Sequence, residues 1–337
     1  MKKDNIKIYE KAKDIPQEWD IFCRENFYMQ IEILKFTEQT SYCNQKYCMV
    51  YDSNNNIEAC FVMFPFKYEF SKLIRLKVQL IFLPLSVSDA GIIAKPNSKI
   101  LSRCLKKIKG LKLILSTSEE FELLNGIKYS GLPNCMMEIK WKTVKEYIDS
   151  MRTKYRYRTN KMIKNGDILT KRVLEDNKEF SQEMYELYKQ VMDNQHYILE
   201  TLNIDFFRNK FAKTIVLELE GRPKAFIQFI EYGEKIIAEF VGFDYKDRDK
   251  YNLYYNIMFS LIEYSIENEF EIIDIGQSAE RAKLKFGGYV ESKYSWIYFN
   301  GNKLLNFILQ KILIDNKSNM EEELKFNVFK NENKKGD

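Results

Sequence analysis

Residues 235–276 read KIIAEFVGFDYKDRDKYNLYYNIMFSLIEYSIENEFEIIDIG, and three patterns follow one another along them. Lys235–Phe243 is rich in β-branched and aromatic residues, as half-buried strands are. A charged turn, Asp244 to Asp249, comes next and contains no glycine. From Lys250 to Glu269, Tyr251, Tyr254, Tyr255, Met258 and Ile262 recur at helical spacing. Ile272–Gly276 is a short apolar run ending in glycine, which reads as a buried strand. Strand, long helix and strand in this order put the segment in the α/β class.

Working outward, two helices, Lys178–Asp193 and Asp205–Ala212, precede strands Thr214–Glu220 and Lys224–Glu231. The turns Glu220-Gly221-Arg222-Pro223 and Tyr232-Gly233-Glu234 join these strands into a meander ending in Lys235–Phe243. A short helix, Ala279–Phe286, and a strand, Glu291–Phe299, follow Gly276. The first half repeats the order. Helices Gln17–Asn26 and Met29–Thr40 lead to a hairpin, Lys46–Tyr51 and Ile57–Tyr68, across Asp52-Ser53-Asn54-Asn55-Asn56. Strand Leu73–Leu83, a helix near Asn97–Lys109, strand Leu111–Ser116, a helix capped by Ser118 and strand Met136–Trp141 complete it. The expected architecture is α/β, two domains in tandem, each a mixed, mostly antiparallel twisted sheet flanked by helices. Residues 1–143 form the N-terminal domain, 144–166 a basic connecting helix, 167–300 the C-terminal domain with the expected active site, and 301–337 a helix and polar tail.

Composition narrows the function classes. Hydrophobic residues make up 45% of the 337, ample for two cores and inconsistent with disorder. Six cysteines without a C-x2-C pair and a single histidine argue against a zinc site. No apolar run approaches the ~20 residues of a membrane span, and Met1–Asp14 lacks a signal peptide's apolar stretch. A cytoplasmic protein with free thiols is expected. The net charge of +5 suits an anionic ligand without being that of a dedicated nucleic-acid binder. The connecting helix is the exception. Val144, Ile148, Met151, Tyr155 and Met162 form one stripe, and Arg152, Lys154, Arg156, Arg158, Lys161 and Lys164 follow with no acidic residue among them.

Tyr147-Ile148-Asp149-Ser150-Met151-Arg152-Thr153-Lys154-Tyr155-Arg156, continuing through Lys161 to Gly166, resembles a signature of FemAB-like proteins of the GNAT superfamily. Gly242-Phe243-Asp244 with Tyr251–Tyr255, and Asp274-Ile275-Gly276-Gln277 leading to Lys283–Gly288, match further motifs in the same order. The resemblance spans Tyr147 to Gly288. It implies two tandem GNAT-like domains and transfer of an acyl or aminoacyl group to an amine. Two positions depart from the pattern. The turn Asp244–Lys250 lacks the glycines with which GNAT domains bind the acyl-CoA pyrophosphate, and Leu284 stands where many members place a general-acid tyrosine.

The candidate residues follow from chemistry. Alternation along Lys235–Phe243 puts Glu239 on a face with Ile237, Val241 and Phe243, where a carboxylate is poised as a general base. Asp274, ending a strand, is the second candidate base. Donor binding is assigned to Phe243 and to Arg248, Lys250, Tyr251, Asn252, Tyr254 and Tyr255, around a helix N-terminus whose N–H groups point at an anion. Gln228, Gln277, Lys283 and Lys285 are acceptor-side candidates, and Arg152, Arg156 and Arg158 would contact phosphates. Structural alternatives exist for each: an ion pair for Glu239, amphipathic packing for the tyrosines, a local cap for Asp274, a solvated face for the basic helix. His196 reads as a cap or a core contact. The expected activity is N-acyl transfer from a thioester, acyl-CoA or carrier-bound, to a small-molecule or peptide amine that attacks directly, with no metal or resident cofactor. The first domain would wall the acceptor cleft. The alternatives are an aminoacyl-tRNA-dependent transferase of the cell-wall FemAB type, with tRNA as partner, and an inactive binding module.

Overall fold

Among the described residues, seven strands in the first part of the chain and seven in the second assemble into separate sheets, with one further strand from far downstream inserted into the first sheet. The computed structural model describes residues 5–41, 43–71, 74–84, 88–194, 201–299 and 326–330. His196 and the expected helix and tail beyond residue 300, apart from 326–330, lie outside the described residues. The chain divides into two units, Met1–Pro133 with Ser292–Asn319, and Asn134–Glu291 with Met320–Asp337.

In the first unit, β1 (Asn5–Tyr9), β2 (Lys46–Tyr51), β3 (Ile57–Ser71), β4 (Ile74–Ile81), β5 (Ile92–Ala94), β6 (Leu111–Thr117) and β7 (Ile127–Ser130) run with helices α1 (Glu18–Phe22), α2 (Ile31–Thr40) and α3 (Lys99–Leu105). The order is β1-β2-β3-β4-β6, then Tyr294–Tyr298, then β7, with β5 paired to β3. Among the described residues of this sheet, β4 and β6 are the parallel pair. Val50, Phe61, Ile114, Leu105 and Trp296 centre its core.

The second unit contains β8 (Asn134–Glu138), β9 (Thr170–Val173), β10 (Ala212–Leu219), β11 (Arg222–Tyr232), β12 (Lys235–Phe243), β13 (Ile272–Gly276) and β14 (Tyr289–Glu291). Its helices are α4 (Val144–Ser150), α5 (Thr153–Asn165), α6 (Gln182–Asp193), α7 (Ile204–Phe207), α8 (Leu253–Glu267) and α9 (Glu280–Lys283). The sheet order is β14-β8-β13-β12-β11-β10-β9, and among the described residues β12 with β13 is its one parallel pair. Each sheet is therefore mixed and mostly antiparallel, as the sequence predicts. On one face α8 covers Ile215, Leu217, Ile227, Phe229 and Ile236 with Ile257, Leu261 and Ile262. On the other, Tyr188 of α6 and Phe206 and Phe207 of α7 meet Phe226 and Phe240 edge to face.

Two strand assignments are corrected. The strand expected near Met136–Trp141 belongs to the second sheet, and Tyr294–Tyr298, hereafter β15, belongs to the first, so the second unit begins at Asn134 and its first segment runs to Glu291. Side chains explain the exchange. Asn134 bonds the buried Asp274, while Trp296 donates to Thr117 (3.1 Å) and Tyr298 to the Ser102 carbonyl (2.7 Å). Alternation marks each run as a strand but is blind to which sheet will accept it. The connecting helix is two helices, because the backbone at Met151 and Arg152 is claimed by the tail. Met151 bridges to Phe329, and Arg152 N donates to the Val328 carbonyl at 2.9 Å. No helix starts at Ser118, whose hydroxyl bonds the Glu120 carboxylate instead. Among the described residues no helix is long and apolar enough to cross a membrane.

Gly242 of β12 lies beneath α6, where an added Cβ would sit 2.2 Å from the Phe226 ring and 2.7 Å from the Tyr188 backbone nitrogen. Gly242→Ala is predicted to cost about 1–3 kcal/mol through overpacking and to lower the urea midpoint. A variant with an unchanged midpoint would show that α6 does not press on β12 here.

Candidate active site

β12 and β13 pair over three residues only, Lys235–Ile237 with Ile272–Asp274. Both strands then leave the ladder. Phe229 of β11 faces Ala238 while Gln228 faces Phe240, so Glu239 is the extra residue of a β-bulge that bends β12. On the other side β13 turns at Gly276, whose φ of +78° suits a residue without a Cβ. The sheet splits between them, and the edge of β12 beyond Ile237 has backbone groups that β13 does not engage. Such an edge takes an extended ligand by the chemistry that builds sheets.

The bulge also resets the alternation. Ala238, Val241 and Phe243 pack toward α8 with Ile236, and Phe240 lies on the α6 side. The expectation that Glu239 shares a face with Ile237, Val241 and Phe243 is therefore corrected: it is a half-buried bulge residue whose Oε2 is withdrawn from solvent.

Asp274 is 1% exposed. Its Oδ1 accepts from Asn134 Nδ2 and from the Gly276 N–H, both at 2.9 Å, and Oδ2 lies 3.8 Å from Lys235 Nζ. Those donors commit the carboxylate to joining β8 to β13. Lys283, expected to meet substrate, is 6% exposed and donates to its own backbone, the carbonyls of Gly276 (2.9 Å) and Gln277 (2.6 Å). Burial pushes its ammonium down to about 8, opposed by Cys135, Glu280 and Asp274 nearby. Burial likewise pushes the Cys135 thiol up to about 11. A Cβ on Gly276 would lie 3.8 Å from the Ala238 carbonyl oxygen, so the turn carrying Gln277 borders the bulge.

At the N-terminus of α8, Asn252 adopts a left-handed conformation and its side chain makes no capping bond. The turn before it closes on its own charges. Lys224 Nζ bridges Asp244 (2.8 Å) and Asp247 (2.6 Å), and the Arg248 guanidinium is held by both oxygens of Asp249 (2.8 and 3.1 Å). Lys250 lies over the Tyr251 ring at 4.6 Å. Tyr254 packs between Phe243 and Tyr255, and burial raises its hydroxyl well above the usual range, with Cys135 and Glu280 among its electrostatic neighbours. Tyr255 meets Phe286.

The structure thus gathers Glu239, Asp274, Gln277, Lys283 and Tyr254 around the end of the split. It adds Asn134 and Cys135 from β8, which sequence reasoning assigned to the other domain. Other candidates lie elsewhere. Gln228 is fully buried on the α7 side, donating to the Phe207 carbonyl (2.8 Å) and Thr214 (3.1 Å). Arg152 donates to the Phe329 carbonyl at 3.0 Å, so it anchors the tail. Arg156 is half-buried and Arg158 exposed on α5, and Lys285 is half-buried after α9.

The buried Lys283 carries a stability signature. Its folded pKa of about 8 lies below the ordinary value of 10.5, so between these the unfolded chain binds the extra proton and stability rises with pH. Lys283→Met is expected to flatten the rise measured by urea unfolding from pH 8 to 10. Identical slopes in the two proteins would contradict the burial of a charged ammonium here.

A family profile described as an acetyltransferase (GNAT) domain matches residues 149–284. No curated protein sequence matches the chain. Among solved structures the chain is similar to FemX, with 11% identity over 88% of this chain and 98% of that one and a TM-score of 0.54. L-PGS from Bacillus licheniformis shares 12% identity over 91% of this chain and 99% of that one, at a TM-score of 0.52. The C-terminal domain of an Agrobacterium fabrum protein assigned as a lysylphosphatidylglycerol synthetase shares 10% over 78% and 86%, at 0.52. At such identities the likeness is one of fold. Residues 149–284 thus match an acetyltransferase (GNAT) domain, and the chain shares its fold with FemX and L-PGS.

Proposed function

We propose that the second unit transfers an acyl group from a thioester donor to an amine acceptor by direct attack. The observation that carries this reading is the β12–β13 split, opened by the Glu239 bulge at the end of a ladder of three residue pairs. The donor lies extended along the open edge of β12, with N–H groups past the bulge, toward Phe243, receiving the oxyanion. Glu239 takes the proton of the attacking ammonium, directly or through water. The new C–N bond forms as the C–S bond breaks; the departing sulfur takes a proton from Tyr254, whose hydroxyl burial keeps protonated, and the second proton released by the nitrogen passes through water to restore the Tyr254 hydroxyl. Gln277 lies on the acceptor side. Both substrates belong to the cytoplasm, and no resident cofactor enters the scheme.

One observation favours a second reading, in which the donor is an aminoacyl-tRNA. At the turn before α8, Lys224 is closed onto Asp244 and Asp247 and Arg248 onto Asp249, which suits a diphosphate poorly, whereas α5 exposes Lys154, Arg158, Lys161 and Lys164 to a polyanion.

Thermal shift separates the two. A donor at 100 times its dissociation constant adds about 2.7 kcal/mol of stability, so acetyl-CoA is expected to raise Tm by several degrees. No shift at millimolar CoA, with salt-sensitive binding of aminoacyl-tRNA, selects the second reading. With either donor, Glu239→Gln is expected to lower kcat about 10²-fold or more with donor KM retained. Full activity in that variant would remove Glu239 from the chemistry.

A further inference from the structure

The turn after β13 is held in a conformation that its own residues resist. Gly276, Ser278 and Ala279 all have positive φ, at +78°, +62° and +52°. For serine and alanine this region is disfavoured by contact between Cβ and backbone, and such strain persists only where surrounding contacts over-determine it. The turn has no glycine after Gly276 to relieve it.

What holds it is a buried charge. Lys283 reaches back from α9 to the carbonyls of Gly276 and Gln277 at 2.9 and 2.6 Å, and it is 6% exposed. The groups facing its ammonium are Cys135 from β8, Asp274 from β13 and Glu280 from α9. None of these carboxylates lies within salt-bridge distance of Nζ among the contacts described, whereas both carbonyls are within hydrogen-bond distance. An ammonium withdrawn from water is costly unless its protons are used. Here they are used on two successive carbonyls of one strained turn.

Position gives the clamp a consequence. The turn begins beside the Ala238 carbonyl, next to the bulge residue Glu239, and so forms one lip of the split. We propose that Lys283 is a positioning residue, an internal cation that pins the Gly276–Ala279 turn and thereby sets the lip against which the acceptor amine is presented. The role assigned to the lip rests on the transfer reading above; the clamp itself does not. With Lys283 in place, the Gly276 and Gln277 carbonyls are taken, so an acceptor ammonium is not captured there and is left to meet Glu239.

The test uses the full chain and reads the clamp separately from catalysis. Hydrogen exchange of the segment from Asp274 to Lys283 is compared in the wild type and in Lys283→Met. The expected result is exchange at least about tenfold faster in the turn, with α8 and β11 protected as before. Unchanged exchange in the turn overturns the proposal. Should the variant not fold, the wild type suffices. The Lys283 ammonium protons, observed by 15N-resolved NMR near neutral pH, are expected to exchange slowly, and solvent-like exchange overturns the clamp. In a transfer assay, Lys283→Met is expected to raise acceptor KM about tenfold with donor KM unchanged, and Lys283→Ala to regain activity with added methylammonium. Equal changes in both KM values, without rescue, overturn the role at the lip. A wild type that transfers nothing while its turn loosens on substitution refutes the transfer reading and leaves the clamp standing.

Discussion

The ladder between β12 and β13 stops after three residue pairs, and the rest of the second unit is arranged around that interruption. A parallel pair can be ended by bending either strand, and here both bend. Glu239 adds a residue to β12 on its β11 side, and Gly276 turns β13 through a left-handed conformation. An opening inside a sheet exposes backbone groups that water or a ligand must satisfy. It is stable only if the strands on either side are anchored independently of each other.

Those anchors are visible. β12 is fixed by eight residue pairs with β11 and by the aromatic cluster of Tyr188, Phe206, Phe207 and Phe240. β13 is fixed from its other side by β8, through backbone pairing and through Asn134 on the buried Asp274. That strand arrives from the N-terminal half of the chain, so the exchange of β8 and β15 is part of how the site is built. α8 supplies the floor. Asn256 in its first turn donates to the Met162 and Tyr251 carbonyls (3.1 and 2.7 Å), tying α5 to the start of α8. The tail segment 326–330 seats Phe329 between Trp141 and Tyr147 and fixes the break between α4 and α5.

How far the sequence could be read follows from which interactions are local. Lys235–Phe243 and Ile272–Gly276 are strands at the expected residues, because β-propensity and a terminal glycine are properties of the segment itself. The bulge at Glu239 is a register shift against β11, and no feature of β12 alone announces it, so the face of Glu239 was misassigned. Asp274, Gln277 and Lys283 were legible as a polar group at a strand end, but not the direction of Lys283, which turns inward to carbonyls six and seven residues behind it. Asn134 and Cys135 were missed because their sheet is chosen by pairing with residues nearly 140 positions away. The basic run after Met151 was legible as charge, yet Arg152 is spent on the tail.

The central claim is that the donor occupies the split. A crystal structure of the protein with a non-transferable donor analogue tests it most directly. The account predicts the analogue in extended form along β12 from Ala238 to Phe243, its reactive carbonyl beside Glu239 and its carrier beyond the start of α8. An analogue bound with full occupancy elsewhere, with β12 and β13 unliganded, would contradict it.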